Sequence, residues 1–280
     1  MIAVIAGTGN LPQQACLNLL KQNKPFFVIS LFPQDNAASL QSVIKDKAEI
    51  FTKEFYKVGK ILQFIKEKNT NQILFIGKVD KRNLLKKIKF DWLAIKLLTQ
   101  MTCKNDNEIM ETILLFLKKE GIEVIKQNEI LQPLLAPPGI LTGNLTPELK
   151  ENIAFGMQKA IQLSTCNVGQ TVVIKDKMVI AAEAIEGTNE CIKRGITLGK
   201  HDVIICKTAH EKQNKKYDLP TLGPNTLNNL KTGQVKAIAW QSDKTFIAQK
   251  EEFIKKATEL KITLISIGKD EETWKGLIEI

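Results

Sequence analysis

The sequence lacks several features that would assign it to a specialised class of protein. None of its 280 residues lies in a run that reaches the roughly 18 consecutive apolar residues of a membrane-spanning helix, and its first residues lack the charged start of a signal peptide. The five cysteines are scattered without a C-x-x-C pair, which excludes a thiolate zinc site and a disulfide framework as expectations. We therefore expect a cytoplasmic protein with reduced, mostly buried thiols.

Arginine is also scarce, because the 40 basic residues include only Arg82 and Arg194. A guanidinium is a planar fork that binds phosphate or carboxylate with two parallel hydrogen bonds, whereas lysine acts as a point charge. Two interpretations stay open for each arginine, namely placement at a functional segment and placement by chance. The net charge of +10 is spread over nearly every segment without a nucleic-acid-binding motif, so no nucleic acid partner is expected. Contact of a basic face with the inner membrane surface stays open.

Short apolar strands alternate with helical patterns in the first part of the chain, starting with a strand, a glycine turn and a helix behind Pro12. The expected elements are strands at 2–6, 26–32 and 73–76, and helices at 58–68, 92–98 and 109–117. Such alternation favours a parallel sheet covered by helices. The predicted fold class is therefore α/β, with a Rossmann-like parallel sheet in an N-terminal domain of residues 1–131.

Prolines and glycines interrupt both periodicities at 132–146, and we interpret this segment as a linker. A helix with one apolar stripe follows and opens a C-terminal mixed α/β domain at 147–280. Two apolar runs flank Lys175, Asp176 and Lys177, which predicts a hairpin. The remaining expected elements are strands at 203–206, 237–240 and 263–267, and a helix at 250–260.

The turn Gly7-Thr8-Gly9-Asn10 joins the first strand to the first helix, where backbone N–H groups and a helix N-terminus can face an anion. A dinucleotide site would also need a third glycine and an acidic residue at the end of the second strand. Here Pro12 follows Leu11, and that strand ends without a carboxylate. Phosphate or sugar binding, a purely structural turn and a nicotinamide site are the three interpretations.

Two segments of the second domain could carry chemistry. Glu183 and Glu186 follow an apolar strand, and carboxylates there suit a hard cation such as Mg²⁺; the alternative is a solvated strand end with Thr188 capping the next helix. Asp218 follows lysines in a loop that its prolines and glycine keep from being a helix. An aspartate beside lysines stays ionised, which suits a metal ligand or a base; an Asx-type turn is the alternative.

Four segments in their order resemble the LpxI family, and the likeness spans the whole chain. They read I-A-G-x-G-x-L-P at the N-terminus, G-x-V before a basic pair at 77–82, E-A-I-E-G-T at 183–188 and D-L-P-x-x-G at 218–223. The resemblance implies magnesium-dependent hydrolysis of the nucleotide glycolipid UDP-2,3-diacylglucosamine to UMP and 2,3-diacylglucosamine 1-phosphate (lipid X) in lipid A biosynthesis. Water would attack the β-phosphorus, in a ligand cleft between the domains. Whether the protein forms a homo-oligomer stays open.

The resemblance also implies roles for individual residues. Asp218 becomes the essential carboxylate and shares a magnesium ion with Glu183 and Glu186, while Lys207 and Lys216 neutralise pyrophosphate charge. The implied substrate-binding residues are Gly7, Thr8, Gly9, Asn10, Lys81, Thr188, Lys207, Gly223 and Thr226, to which the scarcity of arginine adds Arg194.

Several positions depart from the family pattern. Asn107, Asn189 and Asn214 stand where carboxylates are expected, and Lys216 stands where arginine is expected. The basic pair is Lys81-Arg82 instead of Arg-Pro. Three amides in place of carboxylates reduce the negative charge available to a cation. The alternative function is therefore a non-catalytic protein that binds a nucleotide sugar or glycolipid on the same fold.

Overall fold

The computed structural model describes residues 1–79, 90–100, 106–166, 168–209, 214–217 and 219–268. Two of the candidate site residues, Lys81 and Asp218, lie outside the described residues. The chain divides into two compact units. The first comprises Met1–Gln132 with Lys215–Tyr217, and the second comprises Pro133–Asn214 with Asp218–Ile280.

The first unit is built on a parallel sheet of five strands in the order β3-β2-β1-β4-β5. Its strands are β1 (Ile2–Ala6), β2 (Phe26–Ser30), β3 (Ile50–Thr52), β4 (Gln72–Ile76) and β5 (Glu123–Val124). Its helices are α1 (Leu11–Lys21), α2 (Pro33–Ile44), α3 (Val58–Glu67), α4 (Trp92–Thr99), α5 (Asp106–Lys119) and α6 (Gln127–Ile130). The expected parallel α/β sheet is confirmed.

The central strand β1 explains why the sequence begins with an uninterrupted apolar run. It pairs with β2 on one side and β4 on the other, and all five of its residues are buried. Ala3 and Ile5 pack in one cluster with Ile65 of α3 and Leu117 of α5. Because helices cover a parallel sheet on both faces, a central strand such as β1 is apolar throughout and does not alternate.

The second unit contains a mixed sheet of six strands in the order β6-β13-β11-β9-β7-β8. Its strands are β6 (Gly139–Thr142), β7 (Thr171–Lys175), β8 (Met178–Ala182), β9 (Val203–Lys207), β11 (Val235–Gln241) and β13 (Thr263–Ile267), and a separate pair consists of β10 (Thr221–Leu222) and β12 (Phe246–Ile247). Its helices are α7 (Pro147–Thr165), α8 (Thr188–Gly199) and α9 (Lys250–Glu259), with 3-10 helices at Gln132–Leu134 and Pro224–Leu227. In the centre of the sheet, β11 pairs in parallel with β13 and β9. Toward the edges, β6 pairs antiparallel with β13, and β7 pairs antiparallel with both β9 and β8.

Helices cover both faces of this second sheet. Val203 and Ile205 of β9 belong to a cluster with Phe253 of α9, whereas Ile204 and Cys206 belong to a cluster with residues of α7. Alternate residues of one strand therefore pack into two separate cores, as the two-residue period of a strand requires.

Two sequence expectations in this unit had different outcomes. The hairpin is present as β7 and β8, and its turn residues Asp176 and Lys177 have φ of 50° and 54°, the left-handed pair that a two-residue turn requires. The segment 132–146, interpreted as a linker, instead contributes β6, which pairs with β13 at the edge of the sheet. Four residues are too few to show a strand period among prolines and glycines, and their pairing depends on β13.

Candidate functional site

Three strand ends meet at one edge of the second sheet. Thr171, the first residue of β7, lies opposite Lys207, the last residue of β9. Glu183 directly follows β8, and its N–H donates to the Thr171 carbonyl at 2.9 Å. Gly187, with φ of 83°, then turns the chain into α8, which begins at Thr188. The antiparallel pairing of β7 with both neighbours therefore places a lysine, a glutamate and a helix N-terminus together.

These side chains form a buried hydrogen-bonded network. The Lys207 Nζ donates to the Thr188 Oγ1 at 2.8 Å and to the Thr171 Oγ1 at 3.1 Å, and it lies 3.9 Å from the Glu183 Oε2. The Lys207 side chain is only 5% exposed and that of Glu183 13%. Because an ammonium group has only donors, the Thr188 hydroxyl must accept from Lys207 and donate to the Glu183 Oε1, 2.9 Å away. The direction of the Thr188 proton is therefore fixed.

Arg194 organises the turn between β8 and α8. Its Nη2 donates to the Ala182 carbonyl at 2.8 Å and to the Glu186 Oε1. The other oxygen of Glu186 accepts from the Ala184 N–H at 3.0 Å. The pKa of Glu186 lies below its ordinary value, first because its own backbone N–H donates to the carboxylate and second because Arg194 does. An open depression of about 770 Å³ lies beside this turn.

The two glutamates were expected to bind magnesium, and their described contacts are with protein donors. The Glu183 oxygens face the Thr188 hydroxyl, the Lys207 ammonium and the Gln170 N–H, while Arg194 and a backbone N–H occupy those of Glu186. Among the described residues, no group of three or more acidic, histidine or cysteine side chains could hold a metal ion. With Asp218 outside this range, the magnesium ligand set stays a prediction.

The glycine turn of the first unit packs closely against the end of β4. Thr8 and Lys78 exchange two backbone hydrogen bonds of 2.8 and 2.9 Å. A Cβ at Gly7 would lie 2.5 Å from the Lys78 carbonyl oxygen, and one at Gly77, where φ is 95°, would lie 2.8 Å from the Thr8 oxygen. Close packing against backbone atoms therefore explains why glycine occupies positions 7 and 77. Their position, between the ends of β1 and β4 where the strand order reverses, is also where open α/β sheets bind ligands.

Sequence reasoning missed the polar residues that support this turn. The Asn36 Nδ2 donates to the Gly7 carbonyl at 2.6 Å, and its Oδ1 accepts from the Ser30 hydroxyl at 2.6 Å. Both side chains are buried. A serine that ends an otherwise apolar strand is the signal that could have indicated a buried polar contact. Asn10, another candidate, is the N-cap residue of α1.

The remaining candidates lie elsewhere in the fold. Gly223 precedes the second 3-10 helix, and its N–H donates to the Thr226 Oγ1 at 3.3 Å. Lys216 lies in the short segment that belongs to the first unit. The structure thus brings five of the predicted residues together within the second unit. The five residues are Glu183, Glu186, Thr188, Arg194 and Lys207.

Comparison with known proteins divides the chain at nearly the same place as its fold. Family models described as the LpxI N-terminal domain and the LpxI C-terminal domain match residues 1–134 and 137–265. A relative from Caulobacter vibrioides (strain ATCC 19089 / CIP 103742 / CB 15), named UDP-2,3-diacylglucosamine pyrophosphatase LpxI, is 23% identical over 286 residues. The alignment covers 96% of this chain and 98% of that relative.

Proposed function

Because the chain belongs to the LpxI family, we propose that it hydrolyses UDP-2,3-diacylglucosamine to UMP and 2,3-diacylglucosamine 1-phosphate in lipid A biosynthesis. The match of both family domains carries this proposal, and the name of the Caulobacter relative supports the substrate. Water is the proposed attacking group, at the β-phosphorus, and Asp218 is the proposed catalytic carboxylate.

The buried network gives Lys207 a positional role in this proposal. Its ammonium group holds the start of β7 and the start of α8 through two threonine hydroxyls, next to the segment that leads toward Asp218. Thr208 and the Ala209 N–H, the next two residues, donate to the Gln241 Oε1 at 3.0 and 3.4 Å. A rigid stem on this side fixes where the loop leaves the sheet, and precise placement of catalytic groups requires such support.

Magnesium dependence also belongs to the proposal. A magnesium ion would neutralise charge that develops on the pyrophosphate. Removing divalent cations with a chelator and restoring them one at a time, while UMP is measured, tests this dependence. Full activity after chelation would contradict it.

The central experiment measures UMP released from UDP-2,3-diacylglucosamine by the purified protein and by the Asp218→Asn variant. Asparagine keeps the shape and turn-forming bonds of the side chain but loses its charge. We expect kcat to fall by a factor on the order of 10² to 10⁴, with an unchanged melting temperature. The matched control is Asp176→Asn in the hairpin turn, which should keep full turnover. Normal turnover by Asp218→Asn would contradict the assignment.

A second candidate is a non-catalytic protein that binds the same ligand. It is favoured by the internal contacts of Glu183 and Glu186 and by the amides Asn189 and Asn214, since each reduces the negative charge that a cation requires. The same assay separates the two functions. Binding of the intact substrate without any release of UMP would support the second candidate over the first.

A further inference from the structure

The outer face of helix α4 exposes large apolar side chains. Trp92 is 73% exposed and Ile95 is 50% exposed. With Lys96 and Thr99, which are also exposed, they occupy positions i, i+3, i+4 and i+7, which share one face of a helix. We call these four residues the α4 face. Isolated exposed apolar residues are ordinary, but a tryptophan and an isoleucine side by side on one helix form a patch.

The inner side of the same helix accounts for its packing without these residues. Ala94 and Leu97 are buried, so α4 is attached to its unit through its opposite side. The Lys96 Nζ lies 5.1 Å from the centre of the Trp92 ring, a cation–π contact on the surface. The α4 face thus combines an indole, an aliphatic side chain and an ammonium group.

The sequence around the α4 face is strongly basic. Residues 81–100 contain six lysine or arginine residues and one acidic residue, Asp91. The Asp91 carboxylate caps two helices, because it accepts from the Ala94 N–H at 2.9 Å and from the N–H groups of Gly59 and Lys60 at 2.7 and 3.4 Å. On the α4 face itself a partner would meet the exposed Lys96, and the sequence that precedes the helix adds further basic residues.

The contacts of Asp91 also locate the α4 face within its unit. Gly59 and Lys60 lie in the first turn of α3, which follows β3, so the N-terminus of α4 is near the carboxyl edge of the parallel sheet. The glycine turn at Gly7 lies at this same edge, because it follows β1. The α4 face and the glycine turn therefore both lie near the carboxyl ends of the strands of one sheet.

We propose that the α4 face binds the surface of an anionic lipid bilayer. An indole favours the boundary between headgroups and acyl chains, an aliphatic side chain inserts below it, and lysines attract anionic headgroups. A second copy of the chain is a poorer occupant, since two such basic surfaces would repel each other. The inference deepens the proposed function, on which it rests, because a substrate with two acyl chains resides in a bilayer.

The test is co-sedimentation of the purified protein with vesicles, without substrate. The protein should bind phosphatidylethanolamine–phosphatidylglycerol vesicles much better than pure phosphatidylcholine vesicles, and high salt should weaken binding. The double variant Trp92→Ser/Ile95→Ser should reduce the bound fraction about tenfold. Lys96→Glu should reduce binding to anionic vesicles but not to phosphatidylcholine vesicles. Because this variant keeps Trp92 and Ile95, it tests the proposal even if the double variant folds poorly.

Met178→Ser is the matched control, because Met178 is 65% exposed and apolar but lies in the second unit. The proposal is overturned by equal binding to neutral vesicles, by an equal loss in the control, or by a dimer that Trp92→Ser dissociates with vesicle binding intact. Release of UMP is measured separately in neutral detergent micelles, where the α4 variants should match the wild type. Absent UMP release with normal vesicle binding would contradict the proposed function alone.

Discussion

Thr188 illustrates how one hydroxyl group can stabilise two charges. It accepts a hydrogen bond from the Lys207 ammonium and donates one to the Glu183 carboxylate, in surroundings where both charged side chains are largely buried. Hydrogen bonds to charged groups are stronger than neutral ones, and a buried charge that loses a partner is costly. The hydroxyl therefore contributes to stability through both neighbours.

We expect Thr188→Val, which keeps the shape of the side chain, to lower the free energy of unfolding by about 2 kcal/mol. Thr197→Val, on the exposed side of the same helix, should change it by less than about 0.5 kcal/mol. Urea denaturation of both variants measures the difference. Equal effects would show that the hydroxyl of Thr188 contributes no more than a surface threonine.

The cysteines differ in burial and therefore in reactivity. Burial raises the pKa of Cys16 to about 12 and that of Cys191 to about 11, and it raises the pKa of Cys206 as well. The reactive thiolate is consequently rare at neutral pH in all three, whereas Cys166 is exposed. Of these four, N-ethylmaleimide at pH 7.5 should modify Cys166 alone in the native protein. Peptide mass spectrometry checks this, and early labelling of Cys206 would contradict it.

Sequence alone could name part of the buried network. Glu183 was a candidate because it follows an apolar strand, whereas the site roles of Thr188 and Lys207 came from the resemblance to the LpxI family. Thr171 was not, because a threonine at the start of a strand rich in valine is ordinary. Its contact with Lys207 spans 36 positions and arises only from the pairing of β7 with β9. A local pattern cannot indicate a contact of that range.

At the scale of the element, three glycines separate two costs of adding a side chain: Gly7 and Gly77 in the first unit and Gly233 in the second. Gly77 has both a positive φ and a close neighbour, Gly7 has only the neighbour, and Gly233 has only the positive φ of 84° with nothing within 4 Å of an added Cβ. A positive φ costs roughly 1–2 kcal/mol for a residue with a Cβ. A clash with backbone adds to this cost, since the backbone itself must move.

We expect Gly233→Ala to lower the free energy of unfolding by about 1 kcal/mol and Gly77→Ala by at least about 3 kcal/mol. Gly7→Ala should also be destabilising, although its φ is not positive. Urea denaturation of the three variants gives the comparison. Similar values for Gly77→Ala and Gly233→Ala would show that the loops separate readily and that their close approach carries little energy.

The length of an element determined whether sequence could reveal it. The helix at Val58–Glu67 and the strand at Thr263–Ile267 lie within a residue or two of their expected ends, because each carries at least one full period of its pattern. The strands β3, β5, β10 and β12 have two or three residues and were not anticipated. Their strand geometry comes from pairing with neighbours rather than from their own composition.

At the scale of the whole molecule, the fold class followed from the alternation of apolar strands and helices, and the family followed from four short motifs in a fixed order. Neither source gives the strand order of the second sheet, where β7 and β9 are antiparallel and β9 and β11 are parallel. Such pairing depends on how helices and connections of different lengths pack, which no single segment encodes.

The first unit includes Lys215–Tyr217, which are translated after several strands of the second unit. The first unit therefore cannot complete its contacts before synthesis of the second unit has begun. The Lys215 carbonyl accepts from the Gln127 N–H at 2.7 Å, and the Tyr217 hydroxyl donates to the Glu111 Oε1 at 3.2 Å. A ribosome releases β7, β8 and β9 before it releases these residues. The first unit of a nascent chain therefore lacks two of its hydrogen bonds until much of the second unit has been synthesised.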